Sequence, residues 1–138
     1  MKRKPTHTTA AATGLILFAH GSRSAAWRKP FDRLVKDVAK QSGKPAVLAF
    51  GEFMSPTLLE AAQQLAAQGV ARAAVVPLFL GGGAHVRSDT PRLTREAQAA
   101  SGVKLKVVKA IGEDSGVLAA MARYCVANTP RSEEHTSE

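Results

Sequence analysis

Apolar residues along the chain alternate between short unbroken runs and helical stripes. Residues 14–19 (Gly-Leu-Ile-Leu-Phe-Ala) form a run of strand length, the pattern of a strand covered on both faces. From Trp27 onward, Phe31, Leu34, Val35 and Val38 fall on one helix face, and Gln41-Ser42-Gly43 supplies the stop. A second strand is expected at residues 46–50. Ser55 is then expected to cap a helix with Pro56 in its first turn, the buried stripe being Leu58, Leu59, Ala62, Leu65 and Ala66. Residues 73–80 form the most apolar run, followed by an expected loop, Gly81-Gly82-Gly83-Ala84-His85. Asp89, Thr90 and Pro91 read as the start of a third helix reaching about Ala100. Lysines alternate through residues 103–110, which predicts a strand with one wet face at a sheet edge. Val117, Leu118, Met121, Tyr124 and Cys125 give a last helix its inner stripe, with Cys125 expected as a small buried side chain.

Four strands alternating with four helices predict α/β architecture: a single domain over residues 14–128. Its four-stranded, mostly parallel sheet is flanked by helices on both faces. A chain of 138 residues fits one core. With 45% hydrophobic but only 5% aromatic residues, it suits small-residue helices packed on a sheet better than an aromatic-rich sandwich. Residues 1–13, with Lys2, Arg3 and Lys4, are expected to be a disordered basic leader, because the apolar run after them is too short for a secretory signal. Nothing approaches the roughly 18–20 apolar residues of a membrane span. Residues 131–138 have no apolar periodicity, follow Asn-Thr-Pro, and resemble the translation of a common sequencing-adapter DNA. Residues 129–138 are therefore expected to be a non-native or disordered tail in which His135 carries no function. One cysteine rules out an intramolecular disulfide and fits a reducing, cytoplasmic setting.

The charge changes the picture of the partner. A net charge of +8, from 19 Lys and Arg against 11 Asp and Glu, calls for something acidic. The cations are scattered over helices without a dense basic run or interleaved aromatics, which makes nucleic acid a weaker choice than anionic lipid or a polycarboxylate.

Ligands of parallel α/β sheets bind beyond the carboxyl ends of the strands, and the chemically capable residues gather there. His20 ends the first run before Gly21; it can ligate a metal, move a proton, or simply cap the strand. His85 follows three glycines that allow close backbone approach, although alone it could be an ordinary loop histidine. Imidazole suits cobalt, nickel, iron and zinc alike, and two histidines leave most coordination positions free. Glu52 follows the second strand, as a ligand, a proton acceptor or a solvated surface group. Ser22 and Arg23 could hold an anion, Arg23 through its planar fork, although Ser22 could equally cap the next helix. The glycine run lacks a Gly-Lys-Ser/Thr ending, Ser22 lacks the hydrolase elbow, and no Cys-x-x-Cys pair exists.

Over most of the chain, from about Gly14 to Val126, these segments resemble the class II chelatases of the short sirohydrochlorin cobaltochelatase type. The likeness is carried by Leu17-Phe-Ala-His20-Gly-Ser-Arg23, by Phe50-Gly-Glu52-Phe-Met-Ser-Pro56, by Val76-Pro-Leu-Phe-Leu80-Gly, and by Gly83-Ala-His85-Val-Arg87-Ser-Asp89-Thr-Pro91. The resemblance implies a lyase that inserts a divalent metal, cobalt foremost with nickel or iron as alternatives, into sirohydrochlorin for cobalamin or a related tetrapyrrole. It implies that His20 and His85 contact the metal, that Glu52 assists, and that two short chains pair as a homodimer. The basic leader and the tail depart from the family pattern. No organic cofactor is called for. Insertion displaces two pyrrole N–H protons, so a base must stand beside a weakly held metal. The acetate and propionate rim of sirohydrochlorin would be met by Ser22, Arg23 and Arg87, with Lys29 near the same mouth in sequence. Two rivals stand beside this reading. A non-enzymatic metal or tetrapyrrole carrier would bind without accelerating insertion. A histidine-nucleophile phosphatase would want an arginine where Ala19 stands.

Overall fold

The computed structural model describes residues 12–81 and 84–132, the side chains of residues 84–88 excepted. Four strands, β1 (Thr13–Ala19), β2 (Ala46–Phe50), β3 (Arg72–Pro77) and β4 (Lys104–Val107), alternate with helices α1 (Lys29–Ser42), α2 (Leu58–Ala67), α3 (Ala84–Ser101) and α4 (Ser115–Ala127). Short 3-10 turns at Ala25–Arg28 and Ile111–Glu113 precede α1 and α4. The sheet order is β2-β1-β3-β4 and every pairing is parallel. The expected four-stranded parallel α/β sheet is therefore present, and β1 takes in Thr13, which was expected to belong to the leader. Residues 1–11 and 133–138, most of the expected leader and much of the expected tail, lie outside the described residues.

Side-chain alternation along the strands divides the core in two. Ile16, Phe18, Ala49 and Val75 point to one side and are buried with Leu58, Ala61, Ala62 and Leu65 of α2 and Ala97 of α3. Leu17, Ala19, Leu48 and Phe50 point to the other, beneath Trp27, Phe31, Leu34, Val35 and Val38. The last four of these belong to the stripe that made α1 legible. At the end of α1, Gly43 takes a left-handed conformation (φ 68°) and its N–H donates to the Ala39 carbonyl.

Three helix expectations need correction. Thr57, not Ser55, caps α2: its hydroxyl accepts from the Glu60 N–H while the Glu60 carboxylate accepts from the Thr57 N–H. The reason is that Pro56 is still engaged with the sheet, its carbonyl accepting from the Phe50 N–H at 2.9 Å, so the helix begins just beyond it. Helix α3 starts at Ala84, placing Pro91 in its interior and His85 in its first turn instead of a loop. Asp-Thr-Pro imitates a start signal, but the helix runs through Pro91 despite the lost hydrogen bond and the crowding of the carbonyl four residues earlier, and the turns around it bury Thr90, Thr94 and Ala97. Finally, α4 buries none of its residues, and Cys125 is exposed. Its stripe is real, but within one chain it meets chiefly the 3-10 turn before it.

β3 ends at Pro77, earlier than the apolar run, and β4 is a four-residue edge strand as its lysines suggested. Among the described residues no helix is long and apolar enough to cross a membrane.

Candidate functional site

The crossover from β2 to β3 passes over β1, so the chain turns outward in opposite directions from neighbouring strands β1 and β3. Such a switch point opens a crevice beyond the carboxyl ends of the two strands. His20 follows β1, and the glycine run leading to His85 follows β3, so the strand order brings the two histidine-bearing segments side by side. The backbone of His85 and Arg87 lies in the first turns of α3, while their side chains lie outside the described residues.

The floor of this crevice is tied by main-chain bonds that continue the sheet past its strands. The Gly51 N–H donates to the Ala19 carbonyl at 2.9 Å and the Glu52 N–H to the His20 carbonyl at 3.0 Å. On the other side the Leu78 N–H donates to the Phe18 carbonyl at 2.8 Å. His20 and Glu52 are thus adjacent by construction, as the strand-end reading anticipated. Gly21 is required by this closeness: it has φ 101°, and a Cβ there would run into the Glu52 carbonyl oxygen.

The His20 ring is half-buried against the Phe79 ring, centroids 4.4 Å apart, and Phe79 itself is buried against Phe18. An aromatic wall of this kind limits the imidazole's orientations and leaves its remaining edge for a ligand. Glu52 is exposed at the mouth. Arg23 stacks its guanidinium 4.4 Å from the centroid of the Phe53 ring, a cation–π contact that holds the cation at the rim. Phe53 adopts φ 68° and is 56% exposed, an unusual state for a large apolar residue. Ser22 accepts from the Ser24 N–H at 3.0 Å, which favours its local turn role over a free anion contact. Lys29 is exposed at the start of α1.

Sequence reasoning gave no role to Phe53 or Phe79. Both lie inside the quoted motifs, yet ring stacking depends on neighbours from other segments, which no local pattern announces. An apolar crevice of about 420 Å³ opens nearby between α3 and the end of β4, with Phe79, Thr90, Thr94 and Val108 among its walls. His20 is not part of that wall, and Phe79 is the element the two share. The chemistry argues for the strand-end mouth rather than this crevice as the reacting site. Among the described residues no three His, Cys, Asp or Glu side chains gather into a metal cage.

The site is thus a crevice at the switch point of an open parallel sheet, between the segment that carries His20 and the segment that leads to His85. The CbiX family model matches residues 14–126, and the chain belongs to that family. A sirohydrochlorin cobaltochelatase of Sulfurisphaera tokodaii is 32% identical over 104 residues, covering 75% of this chain and 83% of that protein. One from Saccharolobus solfataricus is 39% identical over 82 residues, covering 58% of this chain and 62% of its own length. Among solved structures, a CbiX protein of Marinobacter aquaeolei VT8, named for cobalamin (vitamin B12) biosynthesis, superposes with TM-score 0.74 at 31% identity. It covers 83% of this chain and 95% of its own. The sirohydrochlorin chelatase SirB from Bacillus subtilis subspecies spizizenii, in complex with cobalt, shares the fold at TM-score 0.72 and 24% identity; the match covers 85% of this chain but 51% of SirB.

Proposed function

We propose that the protein is a metal chelatase that inserts a divalent metal, cobalt foremost, into sirohydrochlorin, in cobalamin or related tetrapyrrole synthesis. The observation that carries the reading is the switch point, which sets His20 beside the segment that bears His85, within the span that matches the family. The reaction exchanges two pyrrole N–H protons for one M²⁺ and releases two H⁺. In this reading His20 and His85 hold the metal weakly as imidazole ligands, and each can take a proton once the metal has moved to the ring. Glu52, joined to His20 through the backbone and open to water, relays protons outward. Arg23, braced on Phe53, grips a carboxylate of the substrate rim; Ser22, Lys29 and Arg87, which follow the strand ends in sequence, are the further contacts of this reading. The lone cysteine supports a cytoplasmic setting.

The test is anaerobic insertion of Co²⁺, Ni²⁺ and Fe²⁺ into sirohydrochlorin, followed by absorbance. His20→Ala and His85→Ala should each slow insertion by about 100-fold or more, the scale of a lost acid–base group, with circular dichroism unchanged. A variant with near-native turnover would remove its histidine from the mechanism. Binding with no rate gain over spontaneous insertion would make the protein a carrier.

Capture of the substrate should depend on charge. Raised salt and Arg23→Ala should each raise KM more than they lower kcat, because exposed charges are screened over about 8–10 Å and a carboxylate is gripped equally before and during insertion. Arg23→Ala that lowers only kcat would place Arg23 in the insertion step itself.

A macrocycle is broader than the mouth of one small sheet, and a symmetric pair could enclose it between equivalent faces. We therefore read the working form as a homodimer, which light scattering at micromolar concentration tests directly.

A further inference from the structure

Phe53 occupies a backbone conformation that a phenylalanine disfavours. Among the described residues it is the one non-glycine residue with positive φ, at 68°, and 56% of its surface is exposed. Left-handed backbone crowds the Cβ of any residue that has one, and bulky residues are true outliers there. A single exposed apolar side chain needs no explanation. A strained one does, because the chain gains little burial in return, and such strain persists only where the surroundings impose it.

Here they impose it from both sides. Before Phe53, the Glu52 N–H donates to the His20 carbonyl at 3.0 Å. After it, Nη1 of Arg28 donates to the Ser55 carbonyl at 3.2 Å, and the Phe50 N–H donates to the Pro56 carbonyl at 2.9 Å. Arg28 is itself fixed by its ion pair with Asp32 and by the Phe50 ring, whose centroid is 4.9 Å away. These anchors set the path of residues 52–56 and leave the Phe53 side chain in the open, one residue beyond Glu52 at the mouth. Arg23 covers the ring at 4.4 Å from its centroid and forms no ion pair among the described residues. A guanidinium lying over a ring keeps the N–H donors at its edges for a carboxylate.

We propose that Phe53 is a stacking platform for the substrate: its open face meets a flat conjugated macrocycle, while Arg23 on the other face takes one of that ring's carboxylates. The proposal rests on the chelatase reading above and adds what recognises the flat body of the substrate as well as its acidic rim. Aromatic faces attract one another in offset and tilted geometries, beyond the area they bury. A cation alone accepts any polycarboxylate. A cation backed by an open ring, one residue from the proton-relaying carboxylate, calls for a flat apolar body with an anionic edge.

Anaerobic titration of the metal-free protein with sirohydrochlorin, followed by steady-state insertion of Co²⁺, tests this. Phe53→Leu keeps an apolar side chain without a ring and should raise the dissociation constant and KM about 2–12-fold, the scale of one aromatic pair, with a smaller loss in kcat. Phe53→Tyr should restore both constants. Phe53→Gly suits the left-handed backbone and should bind as weakly as Phe53→Leu without a fall in melting temperature. In an Arg23→Ala background, Phe53→Leu should weaken binding by a further factor of the same size. No further weakening would make Phe53 only a support for Arg23 and overturn the platform. So would a Phe53→Leu protein that binds sirohydrochlorin as tightly as the unmodified one, or a Phe53→Gly protein that melts far lower, which would make the ring a structural prop. Each of these leaves the chelatase reading standing. An unmodified protein that neither binds nor metallates sirohydrochlorin would remove that reading and the platform with it.

Discussion

Helices α2 and α4 are both short, alanine-rich and capped by a side chain at the N-terminus, yet they meet opposite fates. α2 buries Leu58, Ala61, Ala62 and Leu65, with Leu65 fully enclosed. α4 has an apolar stripe of similar weight, Val117, Leu118, Met121, Tyr124 and Cys125, and buries none of it. The difference lies in what the sheet offers. α2 links edge strand β2 to central strand β3 and packs on β2, β1 and α3, while α4 follows the last edge strand and leaves through a turn pinned at Gly112. An apolar stripe states that a helix requires a cover. Whether the same copy supplies that cover is decided elsewhere.

The largest expected contrast comes from trimming one leucine in each helix. Leu65→Ala should cost about 2–5 kcal/mol in chemical denaturation at every protein concentration, since it leaves a cavity inside a single chain. Leu118→Ala should cost within about 0.5 kcal/mol in dilute solution, with its effect growing as concentration favours the dimer. Equal, concentration-independent losses would erase the distinction and put α4 on its own sheet.

Removing the caps sharpens the comparison at a smaller scale. Thr57→Ala should lower global stability by about 0.5–2 kcal/mol, because α2 is part of the core and cannot open alone. Asp114→Ala breaks the equivalent bond in α4. At low concentration its loss should appear instead as faster amide exchange through residues 115–127, with little change in the global midpoint. A global loss matching that of Thr57→Ala would show α4 to be integral to the monomer fold.

The smallest effect is expected just beyond α4. Deleting residues 131–138 removes no apolar stripe and no motif residue, so melting temperature and insertion rate should both stay unchanged. A clear drop in either would give the tail a part in covering α4.

Much of this molecule is written locally. The unbroken run at residues 14–19, the stripe of α1, the lysine alternation of β4 and the position of His20 and Glu52 at strand ends all follow from neighbours in sequence. Burial on two faces, helical period and a glycine turn each leave marks within a few residues. At two helix starts, local signals misled because two of them competed. Asp-Thr-Pro imitated a helix start inside α3, and Ser55-Pro56 imitated a cap while its backbone was still bound to β2.

The order β2-β1-β3-β4 has no local signature, because which strands pair depends on contacts far apart in the chain. That order makes β1 and β3 neighbours and so brings the His20 and His85 segments to one crevice. The stacking of His20 on Phe79 and of Arg23 on Phe53 likewise joins residues from different segments. Period and composition along the chain set the elements and the chemical groups at their ends. The tertiary structure alone decided which ends share a mouth and which apolar helix is left without a cover, since both are settled by the non-local pairing of strands and the direction of a single pinned turn.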